Sequence, residues 1–121
     1  MPLHILGLNH NTAPVEIREQ VILAGDDCAR ALRELVQLPD IGEAVALSTC
    51  NRTEFYVEAG PGGDQALRSW LVRDQQLNAH ACNALFALDD EAAIRHLFRV
   101  AAGLDSLVVG EPQILGQVKS A

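Results

Sequence analysis

The stretch EAVALSTCNRTEFYVEA, residues 43–59, decides the fold class of this chain. Residues 53–59 alternate between apolar and polar side chains, and this period of two is typical of a strand with one buried face. Residues 43–48 form a second short, mostly apolar segment that predicts another strand. Because only the four residues 49–52 separate the two segments, we expect them to pair as an antiparallel hairpin.

The residues before the hairpin predict one strand and two helical pieces. Residues 3–9 (LHILGLN) are mostly apolar and end in a polar side chain, as a short strand would. Helical sequence follows over 14–23 and 26–38, divided at Gly25 and ended by Pro39.

The residues after the hairpin predict a further helix and a fourth strand. Residues 60–63 (GPGG) predict a turn, and the helix that follows it has an apolar inner side. The inner residues are Leu67, Trp70, Leu71 and Leu77. Residues 82–88 predict the fourth strand.

Two more helices are expected after this strand. The first begins at Asp89 or Asp90 and ends at Gly103. Its apolar residues are spaced i, i+3, i+4, i+7, and they are Ile94, Leu97, Phe98 and Ala101. Pro112 opens the second helix.

The predicted order is strand, helix, strand, strand, helix, strand, with helices appended. This order predicts an α+β fold with the ferredoxin-like split βαβ arrangement, an antiparallel sheet with helices on one face. With 121 residues, of which 49% are hydrophobic, the chain is long enough for a single domain with its own core.

Charge and hydropathy exclude several classes of protein. Nine Lys and Arg against sixteen Asp and Glu leave a net charge of −7, which disfavours nucleic-acid binding through broad phosphate contacts. No apolar run approaches the roughly 20 residues of a membrane helix. The N-terminus also lacks the basic and apolar regions of a signal peptide. We therefore expect a cytoplasmic protein that does not bind a membrane.

Cysteine and histidine usage predicts free thiols and no metal site. The three cysteines, Cys28, Cys50 and Cys82, are widely spaced and form no CxxC pair. They are typical of a reducing compartment rather than of a disulfide framework. His80 and Cys82 alternate as on one face of an extended segment, and no further ligands lie nearby.

Cys50 is the most informative residue. Cys28 and Cys82 lie among alanines and leucines and fit small buried residues. Cys50 lies instead in the polar hairpin connection, beside Arg52. A nearby guanidinium stabilises a thiolate, and the thiolate is the nucleophile. The alternative is a polar loop tip in which Arg52 merely pairs with Glu54.

His96 is the next candidate. It lies roughly 200° around its helix from Ile94, away from the predicted apolar stripe. It is therefore not expected to be a packed core residue. One interpretation is a solvated histidine, and the other is a group that holds or moves a proton at a cysteine site.

The segment 103–113 places polar side chains within an apolar stretch. Ser106, Glu111 and Gln113 are the polar members, and Gln117 follows Gln113 by one turn of the last predicted helix. These residues fit helix caps, or the polar wall of a pocket for a small zwitterion or carboxylate.

Four blocks of this sequence resemble the N-terminal catalytic domain of the glutamyl-tRNA reductase family. They are GLNHNTAP at 7–14, STCNRTE at 48–54, HLFRVA at 96–101 and the run at 103–119. The blocks occur in the family's order and together span the chain, although the surroundings of 84–88 look less typical.

The resemblance implies a mechanism. Cys50 would attack the ester carbonyl of glutamyl-tRNA and hold the glutamyl group as a thioester. Hydride from NADPH would then release glutamate-1-semialdehyde for tetrapyrrole (porphyrin and heme) biosynthesis. His96 matches the family's histidine important for activity, and Arg52 would face the substrate carboxylate and the thiolate. The substrate-binding positions implied are Thr49, Cys50, Asn51, Arg52, Ser106, Glu111, Pro112, Gln113 and Gln117.

The resemblance also implies components outside residues 1–121. The family's NADPH-binding and helical dimerisation domains follow the catalytic domain. The sequence has no GxGxxG, and the glycines at 60–63 have neither the spacing nor the strand-to-helix context for dinucleotide binding. We therefore expect a single catalytic domain, an N-terminal fragment that is acylated but cannot reduce the acyl group. The full-length family implies a homodimer, and a glutamate-1-semialdehyde aminomutase as a further partner.

Two other functions stay open on the sequence. The first is a stand-alone cysteine hydrolase or acyltransferase, against which the sequence shows no clear Cys-His-Asn/Asp triad. The second is a non-catalytic ferredoxin-like binding or regulatory module, in which the loop around Cys50 is only a polar turn.

Overall fold

The computed structural model describes residues 2–21, 23, 26–49 and 51–102, and this part of the chain forms four strands and five helices. The strands are β1 (Leu3–Asn9), β2 (Ile41–Ser48), β3 (Arg52–Ala59) and β4 (Phe86–Asp89). The helices are α1 (Val15–Gln20), α2 (Asp26–Leu35), α3 (Gly63–Asp74), α4 (Ala79–Asn83) and α5 (Asp90–Ala101). The predicted boundaries at Gly25, Gly103 and Pro112 lie outside the described residues.

The four strands form one antiparallel sheet in the order β2-β3-β1-β4. β3 pairs with β2 through the predicted hairpin and with β1 on its other side, while β4 pairs with β1. Each strand–helix–strand crossover therefore leaves a gap that a third strand fills, which is the split βαβ arrangement. The α+β fold class predicted from the sequence is confirmed.

One side of the sheet, here called the core face, carries the larger hydrophobic core. β3 contributes Phe55, Val57 and Ala59 to it, all completely buried. The ring of Trp70 on α3 meets Phe55 edge-on, with ring centroids 5.7 Å apart. The inner residues predicted for this helix, including Leu77 beyond its end, all join this core.

The opposite side of the sheet, here called the site face, is covered by α5. Ile5, Leu47 and Tyr56 of the sheet pack there against Ala93 and Val100 of α5. The sequence predicted helices on one face of the split βαβ sheet and assigned no face to the appended helices, of which α5 covers the opposite face. Because α5 follows β4 and crosses the uncovered side, the sheet lies between two helical layers.

Only part of the predicted stripe of α5 faces the sheet, because Leu97 packs against the apolar cluster of the site face whereas Ile94 and Phe98 do not. Ile94 is 47% exposed and Phe98 is 69% exposed, whereas Ala93 and Val100 are buried. Apolar residues occupy more than one side of this helix, so their spacing alone does not select the buried side. His96 was expected to lie away from the packed side, and it lies toward the sheet.

The predicted fourth strand begins later than expected. Residues 82 and 83 belong to α4, and only Phe86–Asp89 are extended. Asn78 caps α4, because its side-chain oxygen accepts a hydrogen bond from the backbone N–H of Ala81 at 2.9 Å. His80 and Cys82 are therefore helical rather than alternating on a strand.

The turn at 60–63 joins β3 to α3, so the strand-to-helix context denied to it from the sequence is in fact present. Gly62 has φ of 86°, a left-handed conformation that favours glycine, and it precedes the first residue of α3. The spacing of its glycines remains different from that of a dinucleotide motif.

Candidate active site

The hairpin connection between β2 and β3 is closed by hydrogen bonds between the residues that flank position 50. The backbone N–H of Thr49 donates to the carbonyl of Arg52 at 2.7 Å. The N–H of Asn51 donates to the Thr49 hydroxyl at 3.1 Å. Thr49 is buried, so both flanking residues are fixed relative to the sheet. Cys50 itself lies outside the described residues.

A second group of hydrogen bonds anchors the base of this connection on the core face. The hydroxyls of Ser48 and Thr53 lie 3.0 Å apart across the hairpin. Ser48 accepts from the N–H of Leu23 at 2.9 Å, and Thr53 donates to the carbonyl of Val21 at 3.0 Å. The chain that follows α1 is thereby tied to the last residue pair of the hairpin.

A polar cluster lies on the site face, centred on the carboxylate of Glu54. Arg52 donates from Nη1 to Oε2 at 3.2 Å, and the Tyr56 hydroxyl donates to Oε1 at 2.5 Å. His96 of α5 places Nε2 at 2.7 Å from the same Oε2. The side chains of Arg52 and Glu54 are 0% exposed and that of His96 is 12% exposed. We call these four side chains the Glu54 cluster.

The alternation of β3 explains why three members of the cluster share one side. Residues 52, 54 and 56 are two apart, and every second side chain of a strand points to the same face. A carboxylate buried without partners is strongly unfavourable. The guanidinium, the hydroxyl and the imidazole each contact the Glu54 carboxylate and offset that cost.

The neighbouring strands make room for the cluster and fix the ring of His96. Gly7 of β1 pairs with Glu54 on one side and with Phe86 on the other. A Cβ atom at Gly7 would lie 2.4 Å from the carbonyl oxygen of Thr53 and 3.0 Å from Cγ of Glu54. The ring of Phe86 meets the His96 ring edge-on, with centroids 5.4 Å apart. His96 therefore contacts the side chains on both sides of Gly7.

Arg18 of α1 approaches the hairpin connection from another direction. Its Nη1 lies 3.4 Å from the side-chain oxygen of Asn51. Its Nε is buried and has no hydrogen-bond partner in the part of the chain that the structure describes. A second cation therefore lies beside the connection that carries Cys50.

The structure brings together several of the residues predicted for the site. Thr49, Asn51 and Arg52 form the ends of the connection, and His96 is joined to Arg52 through Glu54. Arg52 contacts Glu54, as the loop-tip alternative expected, but the pair is buried rather than solvated. The other predicted site residues, Cys50, Ser106, Glu111, Pro112, Gln113 and Gln117, lie outside the described residues.

Glu54, Tyr56 and Arg18 were missed as site residues by sequence reasoning. For Glu54 a signal was available, because a carboxylate that alternates with Arg52 and Tyr56 on one strand shares a face with both. The approach of Arg18 to Asn51 joins residues far apart in the sequence and has no local signal.

Besides His96, the part of the chain that the structure describes contains further histidines and the thiols of Cys28 and Cys82. Cys28 and Cys82 are free and half-buried, and burial raises the pKa of the Cys28 thiol. In the described ranges, no group of three or more His, Cys, Asp or Glu side chains could hold a metal ion. Within those same residues, no helix has the length and apolar character needed to cross a bilayer.

Comparison with known proteins identifies the family. The family model described as "Glutamyl-tRNAGlu reductase, N-terminal domain" matches residues 6–121. Proteins named glutamyl-tRNA reductase from Xylella fastidiosa (strain M12) and Stenotrophomonas maltophilia (strain K279a) are 53% and 55% identical to this chain over its whole length. This chain spans 27% of the length of each of these relatives.

A solved structure agrees with these relatives. The structure titled "Glutamyl-tRNA Reductase from Methanopyrus kandleri" superimposes with a TM-score of 0.75 and 33% sequence identity. The match covers 98% of this chain and 26% of that one. The chain belongs to the glutamyl-tRNA reductase family and is its N-terminal domain.

Proposed function

We propose that this chain carries the acyl-transfer half of the glutamyl-tRNA reductase reaction, with Cys50 as the nucleophile. The Cys50 thiolate attacks the ester carbonyl carbon of glutamyl-tRNA. A carbon–sulfur bond forms, the bond to the tRNA ribose oxygen breaks, and that oxygen takes up a proton. The glutamyl group is left on the protein as a thioester.

The single observation that carries this proposal is the Glu54 cluster beside the hairpin connection. Arg52 and Glu54 are completely buried at the start of β3, and His96 reaches them from α5. Burying an ion pair is a poor source of stability, because desolvation offsets much of the attraction. A reaction site would account for these buried charges, since it requires cations and proton carriers in fixed positions.

The residues have distinct proposed roles. His96 exchanges the proton that passes from the thiol to the leaving ribose oxygen. Thr49, Asn51 and Arg52 hold the glutamyl group next to the thiol, and Arg52 stabilises negative charge there. The substrate positions proposed beyond the described residues are Ser106, Glu111, Pro112, Gln113 and Gln117.

The second half of the reaction is proposed to need the rest of the reductase. NADPH, held by a part of the protein outside these 121 residues, supplies the hydride that converts the thioester to glutamate-1-semialdehyde and returns the free thiol. Alone, the acylated chain loses its glutamyl group to water, which is esterase activity. We further propose that the full-length protein is a cytoplasmic homodimer that passes its product to an aminomutase.

Intact-mass analysis after mixing with glutamyl-tRNA tests the proposal. We expect a glutamyl adduct on the unaltered chain and on Cys82→Ser, but not on Cys50→Ser. Replacing His96 with Asn should slow adduct formation about 100-fold, the lower range for a positioned proton carrier.

Two results would contradict acyl transfer by Cys50. An unmodified chain with intact glutamyl-tRNA would favour the binding-module alternative. Hydrolysis of simple esters at Cys50 with no reaction of glutamyl-tRNA would favour the stand-alone hydrolase.

A further inference from the structure

The carboxylate of Glu54 lies within hydrogen-bond distance of one nitrogen of His96, Nε2. We propose that Glu54, tethered by Tyr56, is a positioning residue that keeps the proton of His96 on Nε2 and leaves Nδ1 to exchange a proton with the reacting groups. The catalytic part of this inference rests on the proposed function. The assignment of the proton rests on the geometry of the cluster alone.

The hydrogen bonds that Glu54 accepts from Arg52 and Tyr56 indicate that Nε2 of His96 is a hydrogen-bond donor. Oε2 receives a hydrogen bond from Arg52 at 3.2 Å and lies 2.7 Å from His96 Nε2. Oε1 receives the Tyr56 hydroxyl at 2.5 Å. Glu54 forms an ion pair with Arg52, and a carboxylate in an ion pair only accepts hydrogen bonds, so we assign Nε2 as the donor. In a neutral imidazole the other nitrogen, Nδ1, is then the acceptor.

Tyr56 restrains the carboxylate so that it stays aimed at His96. Each oxygen of Glu54 has its own donor on β3, Arg52 for Oε2 and Tyr56 for Oε1. Rotation of the carboxylate about its terminal bond would break both bonds. Because these donors and the acceptor belong to one strand, the direction of the acceptor is set by the sheet rather than by α5.

The sheet beneath His96 restrains the ring as well. Phe86 contacts the ring edge-on from β4, while Glu54 holds Nε2 from β3. Gly7 lies between these two residues in the register, and a side chain there would reach 3.0 Å from Glu54 Cγ. Two contacts from different strands fix both the position and the rotation of the imidazole.

Nitrogen NMR of the histidine ring tests the proton assignment without any reaction. In the 121-residue chain labelled with ¹⁵N-histidine, His96→Gln identifies the signals of this ring by their loss. We expect the unaltered chain to show a protonated Nε2 and a bare Nδ1. Glu54→Gln should give a mixture of the two tautomers, and Tyr56→Phe should keep the Nε2–H form as the major one.

Single-turnover acylation by glutamyl-tRNA tests the catalytic consequence. We expect Glu54→Gln to slow acylation at saturating substrate about 100-fold and Tyr56→Phe to slow it roughly 10-fold. The glutamyl-tRNA concentration that gives half the maximal rate should change by no more than about twofold in both variants, because a positioning residue affects the rate rather than binding. Glu58→Gln, a charge removal two residues further along the same face of β3, is the matched control and should change neither rate nor tautomer.

The outcomes separate this inference from the proposed function. A proton on Nδ1 in the unaltered chain overturns the inference even if acylation occurs, and so does Glu54→Gln with an unchanged tautomer and rate. The expected tautomers without any acylation would sink the proposed function instead. If Glu54→Gln does not fold, the unaltered chain and Tyr56→Phe still decide the assignment.

Discussion

The two faces of the sheet are built from the same strands but differ in what they bury. Among the described residues, the core face buries hydrocarbon from four helices and three strands, including Phe55, Val57 and Trp70. The site face buries a smaller apolar cluster beside the charged Arg52 and Glu54. The core face therefore supplies most of the stability. The site face holds polar groups whose burial does not add to the stability of the fold.

The difference follows from the free energy of burial. A fully buried large apolar side chain contributes about 1.5–3 kcal/mol relative to an exposed one. A buried ion pair contributes little net stability, although removing one partner is strongly destabilising. Substitutions on the core face should therefore lower the free energy of unfolding. Substitutions on the site face that leave no unpaired charge should lower activity more than stability.

The largest effect is expected from Phe55→Ala on the core face. Phe55 is completely buried and stacks edge-on with Trp70, so truncation should cost about 3–5 kcal/mol of unfolding free energy. Urea denaturation measures it, and Tyr56→Phe on the next residue of β3 is the matched control, expected to cost about 1–1.5 kcal/mol. Equal losses in the two variants would mean that the faces do not differ in this way.

Gly7→Ala is expected to damage both faces at once, with a smaller loss of stability. The added Cβ would lie 2.4 Å from the Thr53 carbonyl and 3.0 Å from Glu54 Cγ. Strands β1 and β3 must then separate slightly, at a cost of about 1–3 kcal/mol. Acylation at Cys50 should fall more than the unfolded fraction explains, because Glu54 is displaced. A stable variant with full activity would show that Glu54 does not depend on this close approach.

Arg18→Ala is expected to affect substrate handling with little loss of stability. The guanidinium lies 3.4 Å from Asn51 and is only partly buried. Losing one charge-assisted contact should raise the half-saturating glutamyl-tRNA concentration roughly 10-fold. Arg33→Ala, an exposed cation on α2, is the matched control for net charge. The same shift in both variants would assign the effect to general electrostatics instead of to the loop.

The smallest effect is expected from the titration of Cys28 on the core face. Burial raises the pKa of its thiol above the ordinary value of 9.0, so the folded state keeps the proton to higher pH than the unfolded state does. The protonated thiol of Cys28 therefore does not reduce the free energy of unfolding below pH 9. Above pH 9 the unfolded state loses the proton first, so the free energy of unfolding falls as the pH rises. Urea midpoints should fall between pH 8 and roughly pH 10. The fall should be smaller in Cys28→Ser, and an identical fall would exclude this thiol as a source.

The strand pattern could be predicted because it is local. The alternation over 53–59 and the short connection at 49–52 determine the hairpin without reference to the rest of the chain. The buried side of α5 could not be predicted in this way, because Ala93 and Val100 compete with the larger Ile94 and Phe98. Ala93 and Val100 face the sheet together with the partly buried Leu97, while Ile94 and Phe98 stay exposed.

The site could be predicted in part for the same reason. Thr49, Asn51 and Arg52 lie within one connection, so their proximity follows from the hairpin. The bond between His96 and Glu54 joins residues 42 positions apart. It depends on α5 crossing the site face, which the local pattern does not specify. A buried carboxylate that needs partners is the physical link between the two.

Each side chain of β3 belongs to one face of the sheet according to whether its residue number is even or odd. Even-numbered residues from 52 to 58 serve the site face, and odd-numbered residues from 53 to 59 serve the core face. A one-residue insertion or deletion inside this strand would exchange the two sets, sending hydrocarbon to the polar side and charge into the core. Insertions or deletions of two residues keep each side chain on its own face. Length changes in the turn at 60–63 do not affect this assignment. Length variation along this part of the chain is therefore constrained by parity as well as by size.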